Sequence, residues 1–455
     1  MENLNSTEIR QQRKHAVWDG IFGAPLSVMS GGALLTGYAL YLGASPFEIS
    51  VIMAMPFLTQ LVQIFAPGLI DRIGSRRKVA AYGLLFHRLI WLLLGTMPVM
   101  MVFALDPIPL FITLLAFSLI LFNLGQNGWL VWMADLIPAD YRGRFFGRRN
   151  LFIGISSMVF LLGAGLLLDL FTGYRMEGFG YSILIILGAA CGYFSFRKLL
   201  LMEDRTPVDG EQLQLRILFR HLRTEHRFRS VLGFVAFWTV STGIAAPFYF
   251  VHMYENLAWS YNSVTMYAAI SGGLQLLLQP LWGHVLDRFG HKPVLQASIG
   301  GVSIVPLIWI FIAKPWSYWL WGEAVLSGTL WAGINIALFN IALYALPMQK
   351  KAPAMAVFSM IIGFVNFLAM ILGGILVSLL GPVAFNLGEW AFSPFHMVFF
   401  LSFLGRILST RFVLAIDEPD AKTLGVVAYH MTSGLVKRVN LGRQFWIFRG
   451  NGGNN

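Results

Sequence analysis

Two short segments that resemble each other decide how this chain is organised. They are GLIDRIGSRR at residues 68–77 and GHVLDRFGHK at residues 283–292. Their aspartates, Asp71 and Asp287, are 216 residues apart, and Gln63 and Gln279 keep the same separation upstream. A second set of pairs is 209 residues apart: Pro138 with Pro347, Gly154 with Gly363, and Gly165 with Gly374. We therefore predict two halves built on one plan.

Each of these segments follows a long apolar run. Of the 455 residues, 57% are hydrophobic and only 12% are charged, whereas soluble domains carry about 25% charged residues. A membrane span needs about 20 mostly apolar residues. Twelve runs qualify, at roughly 17–43, 47–70, 79–103, 108–136, 146–171, 178–200, 230–254, 262–286, 293–313, 318–346, 353–380 and 394–414. They are apolar on all sides without strand-like alternation, which indicates helices rather than barrel strands.

The predicted fold is therefore an all-α membrane protein with twelve transmembrane helices in two pseudo-symmetric six-helix bundles. We expect a first bundle at 1–200, a cytoplasmic linker at 201–229, a second bundle at 230–416 and a cytoplasmic tail at 417–455. Residues 211–229 have the spacing of an amphipathic surface helix, with a loosely ordered basic linker as the alternative. We expect a second surface helix within residues 421–448.

The positive charges fall on one side of this topology. With the N-terminus inside, 28 of the 33 Lys and Arg residues lie in inside segments, two lie outside and three lie within spans. The positive-inside rule then places both termini in the cytoplasm. The net charge of +11 is explained by this topology, so nucleic-acid binding is not needed to account for it. The first run has no cleavage site of a removable signal peptide.

The D-R-x-G-x-[RK]-[RK] run from Asp71 to Arg77, with a degraded copy from Asp287 to Lys292, resembles the signature of the major facilitator superfamily of secondary transporters. The family pattern opens with a glycine four residues before the aspartate; Gly283 fits it, and Pro67 departs from it. The run DLIPADYRGR at 135–144 resembles a segment that many bacterial members carry, so we expect the bacterial inner (cytoplasmic) membrane. The resemblance implies a permease that moves a small molecule by alternating access between two bundles.

The resemblance also implies a cytoplasmic latch that holds the outward-open state. Its arginines would pair with acids of the other half, or with Asp135 and Asp140. The candidate gating residues are Gly68, Asp71, Arg72, Gly74, Arg76, Arg77, Asp135, Arg142, Arg144, Gly283, Asp287, Arg288 and Gly290. Gly68 and Gly74 would allow close approach and a turn, and Asp71 could sit at a helix N-terminus. The alternative is a basic loop whose exposed ion pairs contribute about 0–1 kcal/mol each.

Polar side chains inside spans are costly and indicate function. In this family certain spans of each half line the cavity, and their polar and aromatic residues are the candidates for binding substrate. They are Gln63, Asn123, Gln126, Asn127, Arg149, Trp238, Tyr249, His252, Gln279, Trp331, Asn335 and Asn366. The alternatives are interhelical packing for each amide and interfacial anchoring for each aromatic. For His87 and Arg88 we expect structural pairing between helices.

Asp19 and Glu323 are the acids we expect could couple a proton to transport, with His252 as a third option. Proton antiporters of the family often have an arginine in span four and a G-x-x-x-G-P run in span five. Here the position of that arginine is occupied by Asn123, and the glycines Gly154, Gly163 and Gly165 of span five are not followed by a proline.

Three hypotheses follow: transport of a neutral or weakly polar cargo, proton-driven efflux of amphipathic drugs, and a transport-dead relative that acts as a sensor or assembly factor. No HExxH, CxxC, GxSxG or Walker-type motif is present in the sequence, so we do not expect an enzyme. We expect no cofactor, no metal and no nucleic acid. The expected partners are the lipid bilayer, a small-molecule substrate and a coupling proton, with the chain a monomer.

Overall fold

The computed structural model describes residues 6–137, 142–204, 225–346, 351–381, 385–387, 390–414 and 418. Nearly all of this regular structure is helical. A short antiparallel hairpin, Phe385–Leu387 with Trp390–Phe392, lies in the last connection between helices. The surface helix expected within 421–448, and residues 211–224 of the one expected at 211–229, lie outside the described residues.

The helices of the described residues form twelve units, which we number spans 1 to 12. Spans 1 to 6 are Ser6–Met29 with Gly32–Tyr41; Pro46–Thr59, a 3-10 helix at Gln60–Phe65 and Ala66–Ile73; Arg76–Leu94 with Met97–Val102; Ile108–Leu136; Arg142–Gly173; and Glu177–Leu200. Spans 7 to 12 are His226–Gly243, Phe248–Val251 and a π-helical turn at His252–Asn256; Tyr261–Phe289; His291–Val302 with Val305–Phe311; a 3-10 helix at Lys314–Trp319 with Leu320–Ala345; Lys351–Leu380; and Pro394–Leu414.

Among the described residues, ten of these units are long and apolar enough to cross a membrane, and span 1, bent by 41°, makes an eleventh. The remaining unit, span 8, has 29 residues and is about 43 Å long at 1.5 Å per residue. It carries Gln275, Gln279 and Asp287, which lower its apolar character. The predicted all-α fold is confirmed.

Helix packing has the same pattern in both halves. In the first half, span 1 packs against spans 5 and 6, span 3 against spans 4 and 6, and span 2 against span 4. In the second half every number rises by six: span 7 packs against 11 and 12, span 9 against 10 and 12, and span 8 against 10. The halves meet where span 2 packs on span 11 and span 5 on span 8. The relation that converts span 2 into span 8 also converts span 11 into span 5, so it turns one of these contacts into the other. The two bundles are therefore pseudo-symmetric.

The two related segments make equivalent turns. Gly74, between spans 2 and 3, has φ +68°, and Gly290, between spans 8 and 9, has φ +97°. Glycine adopts this region without the steric cost that a Cβ brings. The Ser75 side chain then accepts a hydrogen bond from the Lys78 N–H and caps span 3. A Cβ at Gly68 would meet open space, so the close approach expected at that glycine is absent.

The glycines related by 209 residues lie where the halves cross. A Cβ on Gly165 of span 5 would overlap Thr265 and lie 2.9 Å from the Asn262 Cα of span 8. A Cβ on Gly374 of span 11 would lie 2.6 Å from Ser50 of span 2. Small residues let helix backbones approach closely in lipid, and here they do so at equivalent crossings between the bundles.

Candidate functional site

The two sides of the bundle differ in how the halves meet. We call the side that carries the turns at Gly74 and Gly290 the motif side. The first helix and the end of span 6 meet there, since the Glu203 N–H donates to Gln12 Oε1 at 3.0 Å. On the opposite, far side hydrogen bonds between described residues join the halves: Tyr254 OH to Ala33 O at 3.2 Å, Asn262 N–H to Asp169 Oδ2 at 3.2 Å, and Tyr261 OH to Glu177. The far side is therefore closed.

A cavity of about 750 Å³ lies between the halves. Most of its wall comes from the second half, and Phe57 and Gln60 of span 2 contribute from the first. On span 10 its lining runs from Glu323 to Ala342, which is about 28 Å along a helix. Because Ala342 is three residues from the motif-side end of that helix, the cavity reaches the motif side.

Aromatic rings and amides line this cavity. Trp238 and Trp331 face each other with ring centroids 5.9 Å apart. Gln275 and Asn366 supply amide groups. Aromatic faces can stack on a flat ring, and a few placed polar groups orient a ligand in a mostly apolar pocket. The wall therefore suits a small molecule with a flat apolar part and a few polar groups.

A carboxylate and a guanidinium also line this cavity, and both are buried. Glu323 is 3% exposed and Arg406 is 2% exposed. Glu323 accepts a hydrogen bond from the Tyr267 hydroxyl at Oε2. Arg406 donates from Nη2 to the Tyr249 hydroxyl at 3.2 Å and from Nη1 to Val302 O at 3.1 Å. The two charges balance, so the cavity carries no net formal charge.

A second polar site lies inside the first half. Asp19 Oδ1 accepts from Ser195 Oγ at 2.6 Å, and Asp19 Oδ2 forms an ion pair with Arg149 Nη2 at 3.3 Å. Arg88 donates from Nη2 to Ser195 Oγ at 2.7 Å and from Nη1 to Gly192 O at 2.8 Å. A cavity of about 130 Å³ opens beside Asp19, Arg88 and Arg149. Arg88 thus links spans 3 and 6, as expected, and also lines a cavity.

The predicted binding residues fall into those that line the larger cavity, those that line the smaller cavity and those on neither lining. Those that line the larger cavity are Trp238, Tyr249, Trp331 and Asn366, together with Glu323; those that line the smaller one are Gln126 and Arg149, together with Asp19. Asn335 is exposed and lies between Trp331 and Phe339 on the stripe of span 10 that faces the larger cavity. Gln279 is half-buried one turn beyond Gln275. Asn127 is half-buried and is not among the residues that line either cavity.

Gln63 and Asn123 bind each other rather than facing a cavity. Gln63 Nε2 donates to Asn123 Oδ1 at 3.0 Å, and Asn123 Nδ2 donates to Thr59 Oγ1 at 3.1 Å and to Leu119 O at 3.0 Å. Their polar groups satisfy one another across spans 2 and 4, as buried amides in lipid require. Both amides therefore hold helices together, which was the alternative to substrate binding.

The structure does not bring His252 to the cavity. Its side chain is 1% exposed and packs among Trp309, Phe395 and Phe399, with its ring centroid 5.3 Å from that of His396. His252 begins the π-helical turn of span 7. A π turn departs from the 3.6-residue period of an α-helix, and here the side chain points into the core of the second half.

Arg77, a gating candidate of the first half, pairs within that half. Arg77 donates from Nη1 to Met202 O at 3.0 Å and forms an ion pair with Asp204, Nε to Oδ2, at 3.6 Å. Ser75 donates to the same Asp204 oxygen at 2.6 Å. The expected partners of the gating arginines were either acids of the other half or, within the same half, Asp135 and Asp140. Asp204 replaces them for Arg77 because the end of span 6 folds back over this turn.

The other gating candidates have varied surroundings. Asp71, Arg72, Arg144, Asp287 and Arg288 are exposed. Asp71 lies in the last turn of the helix Ala66–Ile73, so it does not occupy the helix N-terminus expected for it; Ser75 caps the next helix instead. Arg76 is half-buried, and Arg142 donates from Nε to Ile137 O at 2.9 Å. Asp135 is described only by its backbone, and Asp140 lies outside the described residues.

In the second half, Glu418 binds the turn at Gly290 much as Asp204 binds the turn at Gly74, and the sequence analysis did not predict this contact. Glu418 accepts from the N–H groups of His291 at 3.0 Å and Lys292 at 2.7 Å and pairs with His291 Nδ1 at 2.6 Å. Burial raises the pKa of the Glu418 carboxyl, and the hydrogen bonds from His291 and Lys292 outweigh burial and hold that pKa below its ordinary value. Asp204 and Glu418 are 214 residues apart, which is close to the motif spacing and could have revealed the pair.

Several cavity residues were also missed or not selected. Phe57, Gln60, Tyr267 and Trp309 line the larger cavity, as do Gln275 and Arg406, whose polar groups inside spans were the available signal. The aromatic ones carried no signal, because Phe, Tyr and Trp are frequent throughout these spans.

Comparison with known proteins agrees with the fold. The family model described as "Major Facilitator Superfamily" matches residues 20–254 and again 234–447. An uncharacterised MFS-type transporter of Methanocaldococcus jannaschii is 22% identical over 381 residues, covering 80% of this chain and 91% of that protein. These matches cover both halves of the chain.

Solved transporters share the fold at low identity. The nucleoside transporter NupG, in a mutant form, is 14% identical with a TM-score of 0.69 over 90% of this chain and 100% of that one. A bacterial homologue of the iron transporter ferroportin in an inward-facing state is 11% identical with a TM-score of 0.65 over 91% and 99%. With its two matching repeats of six spans, this integral membrane protein belongs to the Major Facilitator Superfamily of transporters.

Proposed function

We propose that this chain is a secondary transporter that carries a small, neutral or weakly polar molecule through the 750 Å³ cavity by alternating access. The observation that supports this most is the cavity itself, because residues of both halves line it and hydrogen bonds between described residues join the halves at its far side. Rocking of two bundles about such a site exposes it to one side at a time. The bundles proposed are residues 1–200 and 230–416.

The two ends of the cavity support the alternating step. Three hydrogen bonds close the far side, while Asp71 and Asp287 on the motif side are exposed. If the motif side is cytoplasmic, as the positive-inside rule predicts, this is an inward-open state. In the opposite state the far-side bonds would break, and the motif-side turns would approach each other.

The residues that line the larger cavity indicate the class of cargo. Trp238 and Trp331 suit a flat ring, and Asn366 and Gln275 offer donors and acceptors at its edge. The opposite charges of Glu323 and Arg406 leave no net formal charge to attract an ion. A cavity without a net charge favours an uncharged cargo, because a charged one would lose hydration without a counter-charge.

Glu323 supports proton coupling as a second function of the same cavity. It is buried, lines the cavity, and shares its environment with Tyr267 and Arg406. A carboxylate that changes exposure during the cycle can take up and release a proton. Proton-driven efflux of amphipathic drugs uses the same geometry. By contrast, a cavity that is not filled by side chains counts against the transport-dead hypothesis.

A binding screen followed by a flux assay tests the transport proposal. Purified protein is screened by thermal shift against metabolites and drugs, since a ligand of the folded state raises its melting temperature. Each hit is then tested for uptake into proteoliposomes. Trp331→Ala should abolish the shift and the uptake. Trp319→Ala is the control, because Trp319 is 62% exposed and does not line the cavity. Equal binding and flux in both variants would refute the site.

The proton is tested separately, in the same vesicles. With an imposed pH gradient, Glu323→Gln should abolish gradient-driven accumulation and leave downhill exchange of the cargo. Accumulation that survives in Glu323→Gln but not in Asp19→Asn would transfer the coupling role to Asp19.

A further inference from the structure

The polar site of the first half has more positive than negative charge. Arg88 and Arg149 meet a single carboxylate, Asp19, and all three side chains are at least about nine-tenths buried: Arg88 is 6% exposed, and the side chains of Arg149 and Asp19 are 11% and 5% exposed. With His87 neutral, the residues that line this cavity carry one net positive charge. An uncompensated buried charge costs several kcal/mol, so a counter-charge here would be strongly favoured.

The guanidinium groups also have hydrogen-bond donors to spare. An arginine has five N–H donors. The described hydrogen bonds of Arg88 reach Gly192 O and Ser195 Oγ, and those of Arg149 reach Ala16 O at 3.0 Å and Asp19 Oδ2. Two nitrogens on each side chain are thus accounted for, and both side chains line the same cavity.

We propose that this cavity binds a small monovalent anion, a chloride ion or a carboxylate group, between the guanidinium groups of Arg88 and Arg149. This site is separate from the neutral cavity proposed for the cargo.

The size of the site limits the ligand. Its volume is about 130 Å³, while a water molecule in the liquid occupies about 30 Å³. It therefore holds a halide or one carboxylate with a few waters and excludes a drug-sized molecule. The exposed amide of Gln126 lies on the same wall and adds a neutral donor.

Asp19 competes with the anion for the same cations. Replacing Asp19 by asparagine removes a negative charge and should tighten anion binding by about tenfold or more, as expected for a unit charge several ångströms away at an effective dielectric near 20. Replacing Arg149 by glutamine leaves Arg88 and Asp19 in balance and should abolish binding. A network that merely holds helices together predicts no anion dependence in any variant.

Thermal unfolding of the purified full-length protein provides the test. Melting temperatures are measured in sodium chloride, sodium formate and sodium gluconate at constant total sodium. Gluconate is the reference, because its six-carbon chain is too large for a cavity of about 130 Å³ although it carries a carboxylate. We expect wild type to be stabilised by chloride or formate relative to gluconate, Arg149→Gln to lose this response, and Asp19→Asn to reach it at about tenfold lower anion concentration. Arg148→Gln is the matched control, since it removes one charge from the neighbouring exposed position and should respond as wild type does.

The melting curves distinguish the two possible anions and also show whether the site exists. A response to chloride alone identifies a free halide, and a response to formate identifies a carboxylate; both support the site. Identical melting curves of wild type in all three salts would overturn it, as would loss of the response in Asp19→Asn. If Arg149→Gln does not fold, equilibrium dialysis of radioactive chloride against wild type and Asp19→Asn decides the question, and tighter binding by wild type refutes the proposal.

Discussion

Substituting Gly165 by alanine should push the protein out of the state described here. The added Cβ would overlap Thr265, which is fully buried, and would lie 2.9 Å from the Asn262 Cα. The hydroxyl of Thr265 could rotate away, but the backbone of span 8 cannot move without moving the far-side contact. The substitution therefore wedges spans 5 and 8 apart on the far side.

The size of the effect follows from overpacking. An extra methyl group in a well-packed interface costs about 1–3 kcal/mol. If that cost falls only on the far-side-closed state, the equilibrium shifts by about 5- to 150-fold toward the far-side-open state, at about 1.4 kcal/mol per factor of ten. Gly163→Ala is the control, because a Cβ there meets open space on the same helix.

Pulsed electron paramagnetic resonance measures the shift. Spin labels are attached through Arg72→Cys and Arg288→Cys, two exposed positions in the motif-side segments of the two halves, after the single native cysteine is removed by Cys191→Ser. Gly165→Ala should add or enlarge a population with a shorter distance between the labels, and Gly163→Ala should not. The reasoning is wrong if both variants give the wild-type distance distribution.

Three further outcomes are expected. Asp71→Asn should slow cargo flux without preventing membrane insertion, and undiminished flux in vesicles would remove the latch role. Asn123→Ala should lower the free energy of unfolding by about 0.6–1.7 kcal/mol, the range for buried polar contacts in membranes, with unchanged cargo affinity; a loss of affinity would return Asn123 to the binding site. Because the pKa of Glu418 is lowered from 4.5, its contribution to stability is complete above that value and is lost as the pH falls through the lower folded-state pKa. The melting temperature of wild type should therefore exceed that of Glu418→Gln at neutral pH and converge with it in acid, whereas a constant difference would contradict this.

Some of the site was accessible from the sequence because the relevant groups are rare within apolar runs. Glu323 and Asp19 are carboxylates in such runs, and each lines a cavity. Trp331 and Asn366 were identified from their position in spans that usually line the cavity. The division of roles was not accessible, since Asn123 and Asn366 are the same residue type and both lie within apolar runs, yet one packs helices and the other lines the cavity.

The sequence by itself determined the twelve spans, the two equivalent halves and the glycine turn at Gly74, because each depends on local composition or on a single backbone conformation. Tertiary structure alone decided which face of each span meets the cavity. A helix that is apolar all round has no polar face to orient it, and its rotation depends on how it packs against its neighbours. Three-dimensional packing likewise placed His252 in an aromatic core, brought Asp204 to Arg77 and drew most of the cavity wall from the second half.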